Sequence, residues 1–330
     1  MSSILSQTSN KDVKEPNKFR YSRLSCFQKC PRKHFYEYEE MITPPENRYL
    51  FLGKSFHSVL EAMHKGEDYT VFFDEFRNAC ITGEHPYEPD LLEYIVMVYM
   101  QYYHDVSMQE EVIACEYNFS EVLDNGVDYL TGTIDWLIYN KASGEYIIRD
   151  VKTTDGNLKY TFEDVQHNAQ LLFYIPYIEQ EFGVTVSAIQ IDEVRCAKLV
   201  PPPINNDGTP TIDKRRLSLT TAQMYADTLM ELGLIGDSKY QATLDFLEQR
   251  GHPLFNRVEY QILDPELVST NMEDMYDIYM AIKAEPNSHR YRNKSPLCNY
   301  CAFKSLCDLD RSNPTTAERQ ILINKIQETY

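Results

Sequence analysis

The chain has 330 residues, of which 43% are hydrophobic and 25% are charged, as is typical of a folded protein with a sizeable core. It contains no run of about 18 apolar residues, so the sequence predicts no membrane-spanning helix and no membrane partner. The formal net charge of −18 at pH 7 argues at first against a nucleic-acid partner, because proteins that bind phosphate backbones are usually basic.

The first residues, 1–18, are polar and are predicted to form a disordered tail. They lack the apolar segment of a secretion signal, so we expect a cytoplasmic protein. Disulfides are rare in the cytosol, and the eight cysteines are therefore expected to be free thiols or metal ligands.

Helical and strand patterns alternate along the rest of the chain. A helical pattern starts at Ser22, a candidate N-cap, and is interrupted at Pro31. Further helices are predicted at 53–65, 70–82, 90–105, 163–181, 220–249 and 270–284. Strands are predicted at 111–120, 127–139, 145–153 and 185–200, followed by a loop at 201–210. This order predicts an α/β fold with a mixed sheet flanked by helices.

Positive charge is concentrated in two stretches of the chain. Residues 11–33 carry a net charge of +6 and residues 283–304 a net charge of +4, so the remaining residues carry about −28. If the two stretches are unrelated, each is a solvated basic segment. If they meet in the fold, they form one positive surface that suits phosphate groups.

Two aspartates lie in neighbouring strand segments, GTIDWLIY and EYIIRDVKTT. If these strands pair as a hairpin across the loop at 141–144, Asn140 faces Glu145. Counting outward then places Asp135 opposite Asp150. Like charges directly opposite each other in a sheet are destabilising, so we expect a cation between them. Carboxylate oxygens favour Mg²⁺ or Mn²⁺.

Three further side chains extend this acidic site. Lys152 follows Asp150 by two positions, so both lie on one face of the strand, where an ammonium can orient water and stabilise charge on a phosphate. His57 lies one helical turn after Gly53, whose bare backbone lets the imidazole reach a metal held by the sheet. Without the acids, His57 would be interpreted as a core histidine. Glu116, in the preceding strand, is a further candidate ligand.

Gln170 and Tyr174 lie at i and i+4 on one helical face in NAQLLFYIPYIEQ. An amide and a phenol placed in this way can contact a nucleic-acid backbone or stack on a base. Partly buried polar residues without such a role are an equally good interpretation of the pattern.

Near the end of the chain, SPLCNYCAFKSLC places Cys298, Cys301 and Cys307 within ten residues. A tetrahedral thiolate site needs a fourth ligand, and Zn²⁺ or an iron–sulfur cluster would suit four cysteines. Cys30 and Cys26, both in the first basic stretch, are candidates for the fourth. Cys115 and Cys196 lie in strand-like apolar settings and are interpreted as buried packing residues, and Cys80 lies in a helical stretch without partner ligands.

The stretch YSRLSCFQKCPRKHFYEY resembles the opening of RecB-like nucleases of the PD-(D/E)xK superfamily. Six short motifs of that family occur here in the family's order, over about residues 20–310. They are the cysteine–proline opening at Cys30, G-x-x-x-H ending at His57, G-x-x-D ending at Asp135, [DE]-x-K from Asp150 to Lys152, Q-x-x-x-Y from Gln170 to Tyr174, and the closing cysteines.

The resemblance implies a restriction-endonuclease-like core whose N- and C-terminal segments are stapled by a four-cysteine cluster. It is closest in pattern to the iron–sulfur branch, which includes AddB-type nuclease subunits and the CRISPR adaptation nuclease. The resemblance thus assigns a [4Fe-4S] cluster to Cys30, Cys298, Cys301 and Cys307, with Zn²⁺ in the same site as the alternative. Pro31 favours Cys30 over Cys26. The expected organisation is a tail at 1–18, a nuclease domain at 19–310 and a C-terminal helix at 311–330.

The activity implied by the resemblance is metal-dependent exonucleolytic hydrolysis of DNA that is single-stranded or has free ends. His57, Asp135, Asp150 and the Val151 carbonyl would hold Mn²⁺ or Mg²⁺, and Lys152 would act on the attacking water. The residues expected to contact DNA are Gln170, Tyr174, Arg23 and Arg32.

The expected context is DNA recombination, repair or replication, with recombination or helicase partner proteins or further copies of the chain. One alternative is a catalytically silent DNA-end-binding subunit of a recombination or CRISPR-type complex. Another is a zinc-stapled interaction protein without nucleic-acid activity.

Overall fold

The computed structural model describes residues 17–44, 48–123, 126–262, 264–284 and 291–328, without the side chains of residues 48 and 49. The predicted disordered tail therefore lies outside the described residues except for its last two. Among the described helices, none is long and apolar enough to cross a membrane.

The strands form one mixed six-stranded sheet. They are β1 (Lys18–Phe19), β2 (Glu110–Val122), β3 (Tyr129–Asn140), β4 (Glu145–Thr154), β5 (Val186–Arg195) and β6 (Phe255–Gln261). The sheet order is β1-β3-β4-β5-β6, and β2 pairs with β3. Strands β1 with β3 and β4 with β5 run parallel, whereas β2 with β3, β3 with β4 and β5 with β6 run antiparallel.

Helices cover both faces of the sheet. In chain order they are α1 (Tyr21–Lys29), α2 (Pro31–His34), α3 (Arg48–Lys65), α4 (Thr70–Ile81), α5 (Leu91–Tyr102), α6 (His104–Ser107), α7 (Phe162–Gln166), α8 (Ala169–Phe182), α9 (Ala222–Glu231), α10 (Ser238–Arg250), α11 (Pro265–Ala284), α12 (Lys304–Leu309) and α13 (Thr316–Glu328). One apolar core lies between the sheet and α1, α8 and α11, and a second between the sheet and α3, α4 and α5. The predicted α/β fold, a mixed sheet flanked by helices, is confirmed.

The hairpin of β3 and β4 has the predicted register, with Asn140 opposite Glu145. The ladder runs up to Trp136 opposite Arg149 and ends there, immediately before Asp135 and Asp150. Oδ2 of Asp135 instead accepts a hydrogen bond from the backbone N–H of Val151 at 2.7 Å. The two strands therefore part at the aspartates, and this split between β3 and β4 begins where the ladder ends.

Several predicted boundaries differ from the structure. The helix predicted at 220–249 is two helices, α9 and α10, because Gly233 and Gly236 between them adopt positive φ. The helix predicted at 163–181 is also divided, since Asn168 caps the start of α8 with its side chain. Strand β6 was not predicted, and β5 ends at Arg195 rather than at residue 200.

A buried network of charges joins α5 to the sheet on the α3 side. Asp192 of β5 is fully buried, and its two carboxylate oxygens each accept a hydrogen bond from Arg257 at 2.6 Å. The hydroxyl of Tyr99 donates to the same carboxylate at 2.7 Å. Burial raises the pKa of Asp192, but the charges of Arg149 and Arg257 outweigh it and hold that pKa below its usual value.

Asp192→Asn is expected to lower the free energy of unfolding by about 3 kcal/mol, because it removes the carboxylate that binds the largely buried guanidinium of Arg257 through two short hydrogen bonds. Arg257 then keeps its 3.4 Å contact with the carboxylate of Glu110. Tyr99→Phe removes one hydrogen bond and keeps the ring, so this control is expected to cost about 1 kcal/mol. Urea denaturation at pH 7 measures both losses, and losses of equal size would contradict the central place of Asp192.

The contribution of Asp192 to the free energy of unfolding depends on pH. Because the folded pKa of Asp192 is lowered, its stabilisation is present above the unfolded pKa of about 3.9 and is lost as pH falls through the folded value. The difference between wild type and Asp192→Asn should therefore shrink below about pH 4.

Candidate active site

Side chains from three elements meet at the split between β3 and β4. Nδ1 of His57 lies 2.9 Å from Oε1 of Glu116 and 3.7 Å from Oδ2 of Asp135. The ligand atoms of these three residues all lie within 4.8 Å of one another. Two carboxylates and an imidazole suit a divalent ion such as Mn²⁺ or Mg²⁺, so the residues present fit such an ion.

Glu116 reaches this cluster through an unusual backbone conformation. Its φ is 46°, in the left-handed region that non-glycine residues seldom adopt. Cys115 pairs with Trp136 across the strands, so Glu116 lies level with Asp135. Backbone strain of this kind is concentrated at functional sites. The sequence placed Glu116 only at the margin of the site, whereas the structure places it in direct contact with His57.

Helix α3 carries His57 to the sheet and packs closely against β4. Nε2 of His57 lies 3.0 Å from the carbonyl oxygen of Val151, which can only accept, so this nitrogen is protonated. A Cβ at Gly53 would lie 2.9 Å from Oγ1 of Thr153. A Cβ at this position would force the Thr153 side chain to shift, so the glycine lets the helix pack closely against the strand.

Asp150 and Lys152 form a second pair beside the first cluster. Nζ of Lys152 lies 2.8 Å from each carboxylate oxygen of Asp150 and donates to Oδ1. Oδ2 of Asp150 is buried and has no hydrogen-bond partner among the described residues. The ammonium of Lys152 compensates the charge of this oxygen, and its remaining lone pairs make it a candidate ligand for a further cation.

The crowded carboxylates shift the pKa values of their neighbours. Burial and the charge of Asp150 raise the pKa of Asp135 to about 7. Burial lowers the pKa of His57, but the hydrogen bond with Glu116 and the nearby carboxylates outweigh it and bring the pKa to about 9. For Lys152, burial is likewise outweighed by the carboxylates, and its pKa lies above the usual value. Two cations thus offset the acids of the site.

Glu193 is a member of this site that the sequence analysis missed. It lies on β5 directly opposite Lys152 of β4 and is 1% exposed. Its Oε2 accepts hydrogen bonds from the backbone N–H groups of Lys159 and Tyr160 at 2.7 and 3.1 Å, and its Oε1 is buried without a partner among the described residues. The carboxylate fixes the loop after β4 beside the site. Only the pairing of parallel strands, which the sequence does not specify, brings it there.

Gln170 and Tyr174 lie on α8, which covers the sheet next to the site. Tyr174 is buried with its ring edge against Phe119, and burial raises its pKa to about 12 despite a hydrogen bond with Gln170. A Cβ at Gly132 would lie 2.4 Å from the Phe119 ring and 2.8 Å from that of Tyr174. Gly132 therefore makes room for the tyrosine, and Gln170 is the half-buried, more accessible member of the pair.

The two arginines expected to contact DNA are engaged within the protein. Arg23 stacks on Phe19 with its guanidinium carbon 4.3 Å from the ring centroid, and its Nε donates to Nε2 of His34 at 3.2 Å. Arg32 lies over the rings of Phe35 and Tyr36 and lines a cavity together with cysteines. Their contact with DNA stays a prediction.

All four cysteines assigned to the cluster line one cavity of about 180 Å³. It lies between α2 and the segment from residue 291 to α12, so the first and last parts of the chain meet there. Nε of Arg292 donates to the sulfur of Cys307 at 3.3 Å. The cysteines that surround this cavity are Cys30, Cys298, Cys301 and Cys307.

Cys26 does not line the cavity. It is buried, and its sulfur donates to Oε2 of Glu37 at 3.6 Å. Burial and the charge of Glu37 raise the pKa of the Cys26 thiol to about 12, which disfavours the thiolate that a metal requires. Cys30 is therefore the better candidate for the fourth ligand.

The model of the PD-(D/E)XK nuclease superfamily matches residues 18–308. The comparison with curated proteins yields no match. Among solved structures 18 chains match, and one of them is described as "Crystal structure of SSO0001". That chain is 13% identical to this one, with a TM-score of 0.34, and the alignment covers 90% of this chain and 89% of that chain.

The matched span contains His57, the acids at the split between β3 and β4, Lys152 and the four cysteines of the cavity. The observed mixed sheet with helices on both faces agrees with the core of this family. The chain therefore belongs to the PD-(D/E)XK nuclease superfamily, and this membership implies a nuclease that uses a divalent metal ion.

Proposed function

We propose that this protein is a deoxyribonuclease that hydrolyses phosphodiester bonds from the free ends of DNA with Mn²⁺ or Mg²⁺. The observation that carries the proposal is the convergence of His57, Glu116 and Asp135 beside the Asp150–Lys152 pair. An acidic cluster next to a carboxylate-held ammonium has the parts that metal-assisted hydrolysis of a phosphate needs.

Each side chain has a separate role in this proposal. His57 would bind the divalent ion as a neutral imidazole, through Nδ1 after this nitrogen has released its proton, together with Glu116 and Asp135. Asp150 and the Val151 carbonyl lie beside them. When bound, the ion supplies a Lewis acid that polarises the scissile phosphate and acidifies water. Lys152, held by Asp150, positions the attacking water and offsets the charge that develops on the phosphate.

The preference for DNA ends is the finer part of the proposal. It rests on the G-x-x-x-H motif that ends at His57, which accompanies exonucleolytic activity in the nucleases that this chain resembles. Gln170 is better placed for contact with DNA than Tyr174, which is buried, or Arg23, which pairs with Glu39. Arg32 faces the cysteine cavity.

The proposed occupant of the cysteine cavity is a [4Fe-4S] cluster, with Zn²⁺ as the alternative. Four cysteines line this cavity of about 180 Å³, and four thiolates are the ligand set of either group.

We place this activity in DNA recombination, repair or replication, in the cytoplasm, alone or beside a helicase or further copies of the chain. A catalytically silent subunit that binds DNA ends is the alternative. The presence of Asp135, Asp150 and Lys152 together favours catalysis, since loss of a single one would abolish it.

Asp150→Asn and Lys152→Ala are each expected to reduce the rate of hydrolysis about 10²-fold or more. Lys152→Ala removes the ammonium that acts on the reacting phosphate, and Asp150→Asn removes the carboxylate charge that holds this ammonium. Release of label from end-labelled single- and double-stranded DNA with Mn²⁺ measures the rate, and the product ladder tells terminal from internal cleavage. Lys65→Ala, an exposed lysine on the helix of His57, is the matched control. A wild type that leaves every substrate intact would overturn the proposal.

Glu116→Gln is expected to raise the Mn²⁺ concentration for half-maximal activity by about 10- to 100-fold, since the amide keeps the shape and loses the charge. A Mn²⁺ titration of the activity measures this shift. Glu111→Gln, on an exposed position of the same strand, should leave the requirement unchanged. If both variants need the same Mn²⁺ concentration as the wild type, Glu116 does not bind the ion.

Cys30→Ser is expected to lose the iron and the visible absorbance of anaerobically purified protein, because it removes one of four ligands. Cys26→Ser should keep both, since the Cys26 sulfur donates to Glu37 instead. Iron, sulfide and zinc are measured on the same samples. If the protein contains stoichiometric zinc and no iron, the cavity holds zinc and not an iron–sulfur cluster. If only Cys26→Ser loses iron, Cys26 and not Cys30 is the fourth ligand.

A further inference from the structure

A cavity of about 410 Å³ opens where β5 ends and β6 begins. Besides these strand ends, the loop after β4, a short turn at Lys214–Leu217 and α10 form its wall. Four basic side chains line it, and no aspartate or glutamate does so among the described residues. They are Arg195, Lys214, Arg250 and His252. Such a pocket is unexpected in a chain whose net charge is −18.

The positive charge of this cavity is not neutralised by carboxylates. Arg250 donates to the carbonyl oxygens of Leu217 and Thr220 at 2.8 and 2.5 Å, and Arg195 donates to that of Ser218 at 3.3 Å. These acceptors are neutral. Nε of each arginine is buried and has no hydrogen-bond partner in the part of the chain that the structure describes. Two guanidinium groups thus share one cavity, and none of the described hydrogen bonds that they make is to a carboxylate.

The positive charge of the cavity contributes to lowered pKa values of the side chains that line it. Burial and the charge of Arg195 lower the pKa of Arg250, and burial and the charge of Arg250 lower that of His252 to about 4. Lys214 lies over the ring of Phe246, with Nζ 4.3 Å from the centroid. Like charges held together cost free energy, and an anion in the cavity would recover it.

The cavity lies next to the candidate active site. Arg195 follows Glu193 by two positions on β5 and pairs with Thr154, near the end of the strand that carries Asp150 and Lys152. Asn256 of the cavity wall donates to the carbonyl oxygen of Tyr160, whose own N–H binds Glu193. One loop therefore separates the two sites.

We propose that this cavity binds a phosphate group of the nucleic-acid strand, away from the phosphate that is hydrolysed. The inference rests on the proposed nuclease function and deepens it. Guanidinium groups bind phosphate oxygens through paired N–H donors, and Lys214 adds a further charge at the mouth. About 410 Å³ has room for a phosphate with part of its nucleoside.

A strand phosphate is the occupant that the charge distribution favours. Most of the chain is acidic and repels a polyanion, so a strand at the active site needs a local cationic anchor. A cavity one loop from the catalytic lysine provides that anchor for a neighbouring nucleotide. A free phosphate or mononucleotide would meet the same chemistry, and the experiment has to separate the two sources.

The test measures binding of a fluorescent single-stranded oligonucleotide by anisotropy, with Ca²⁺ in place of Mn²⁺ and a gel to show that the strand stays intact. Lys214→Ala and Arg195→Gln are each expected to weaken binding about tenfold and to reduce the salt dependence by about one phosphate contact. Arg215→Ala is the matched control, because that side chain is 90% exposed and pairs with Asp213. Thermal unfolding of each variant verifies its fold.

Binding that is unchanged in Lys214→Ala and Arg195→Gln, or weakened equally in Arg215→Ala, would overturn the proposal. Inorganic phosphate and a deoxynucleoside monophosphate are added as competitors and in melting experiments. One result would overturn the assignment of the cavity to a strand phosphate. In it, phosphate or the monophosphate raises the melting temperature of the wild type but not of Arg195→Gln, while both substitutions leave the affinity for the oligonucleotide unchanged.

Failure of the phosphate-binding proposal can be distinguished from failure of the nuclease proposal. If the wild type binds the oligonucleotide through Lys214 and Arg195 but cleaves no substrate, the phosphate-binding proposal is supported and the nuclease proposal is refuted. If the wild type cleaves DNA and its KM and kcat are unchanged in Lys214→Ala and Arg195→Gln, the nuclease proposal is supported and the phosphate-binding proposal is refuted.

Discussion

Repulsion among carboxylates at the split between β3 and β4 is the constraint around which the site is arranged. Asp135 accepts the N–H of Val151 in place of a ladder bond, and this contact ends the hairpin where the acids begin. His57 and Lys152 supply the compensating positive charge. A pair of aspartates on adjacent strands can persist only with cations beside it, and the same requirement makes the place attractive to a divalent ion.

Two groups of buried acids on the sheet have different roles in stability and in chemistry. On the α3 side, Asp192 is buried, and its carboxylate accepts hydrogen bonds from Arg257 and from the hydroxyl of Tyr99. These bonds hold the centre of the sheet. In the active site, by contrast, Oε1 of Glu193 has no hydrogen-bond partner among the described residues, and Oδ2 of Asp150 has only its ion pair with Lys152. The satisfied network holds the strands, and the unsatisfied oxygens are available to a ligand.

Cations in this acidic chain are concentrated where anionic partners are proposed. Basic residues accompany the four thiols of the cysteine cavity, and another group lines the cavity at the ends of β5 and β6. Over the rest of the surface the excess of carboxylates keeps phosphate backbones at a distance. A nucleic-acid strand would then be directed to a few places rather than bound everywhere.

The sequence by itself determined the hairpin register and the residue types of the site, because Asp135, Asp150 and Lys152 lie within one short hairpin whose side chains alternate with period two. The cysteine spacing and the motif glycines are equally local. Glu116 depends on a left-handed backbone, Glu193 on the pairing of parallel strands across two helices, and the basic cavity on residues far apart in the chain, such as Arg195 and Arg250. Only the tertiary structure decided these, because long-range pairing and local strain leave no periodic pattern in the sequence.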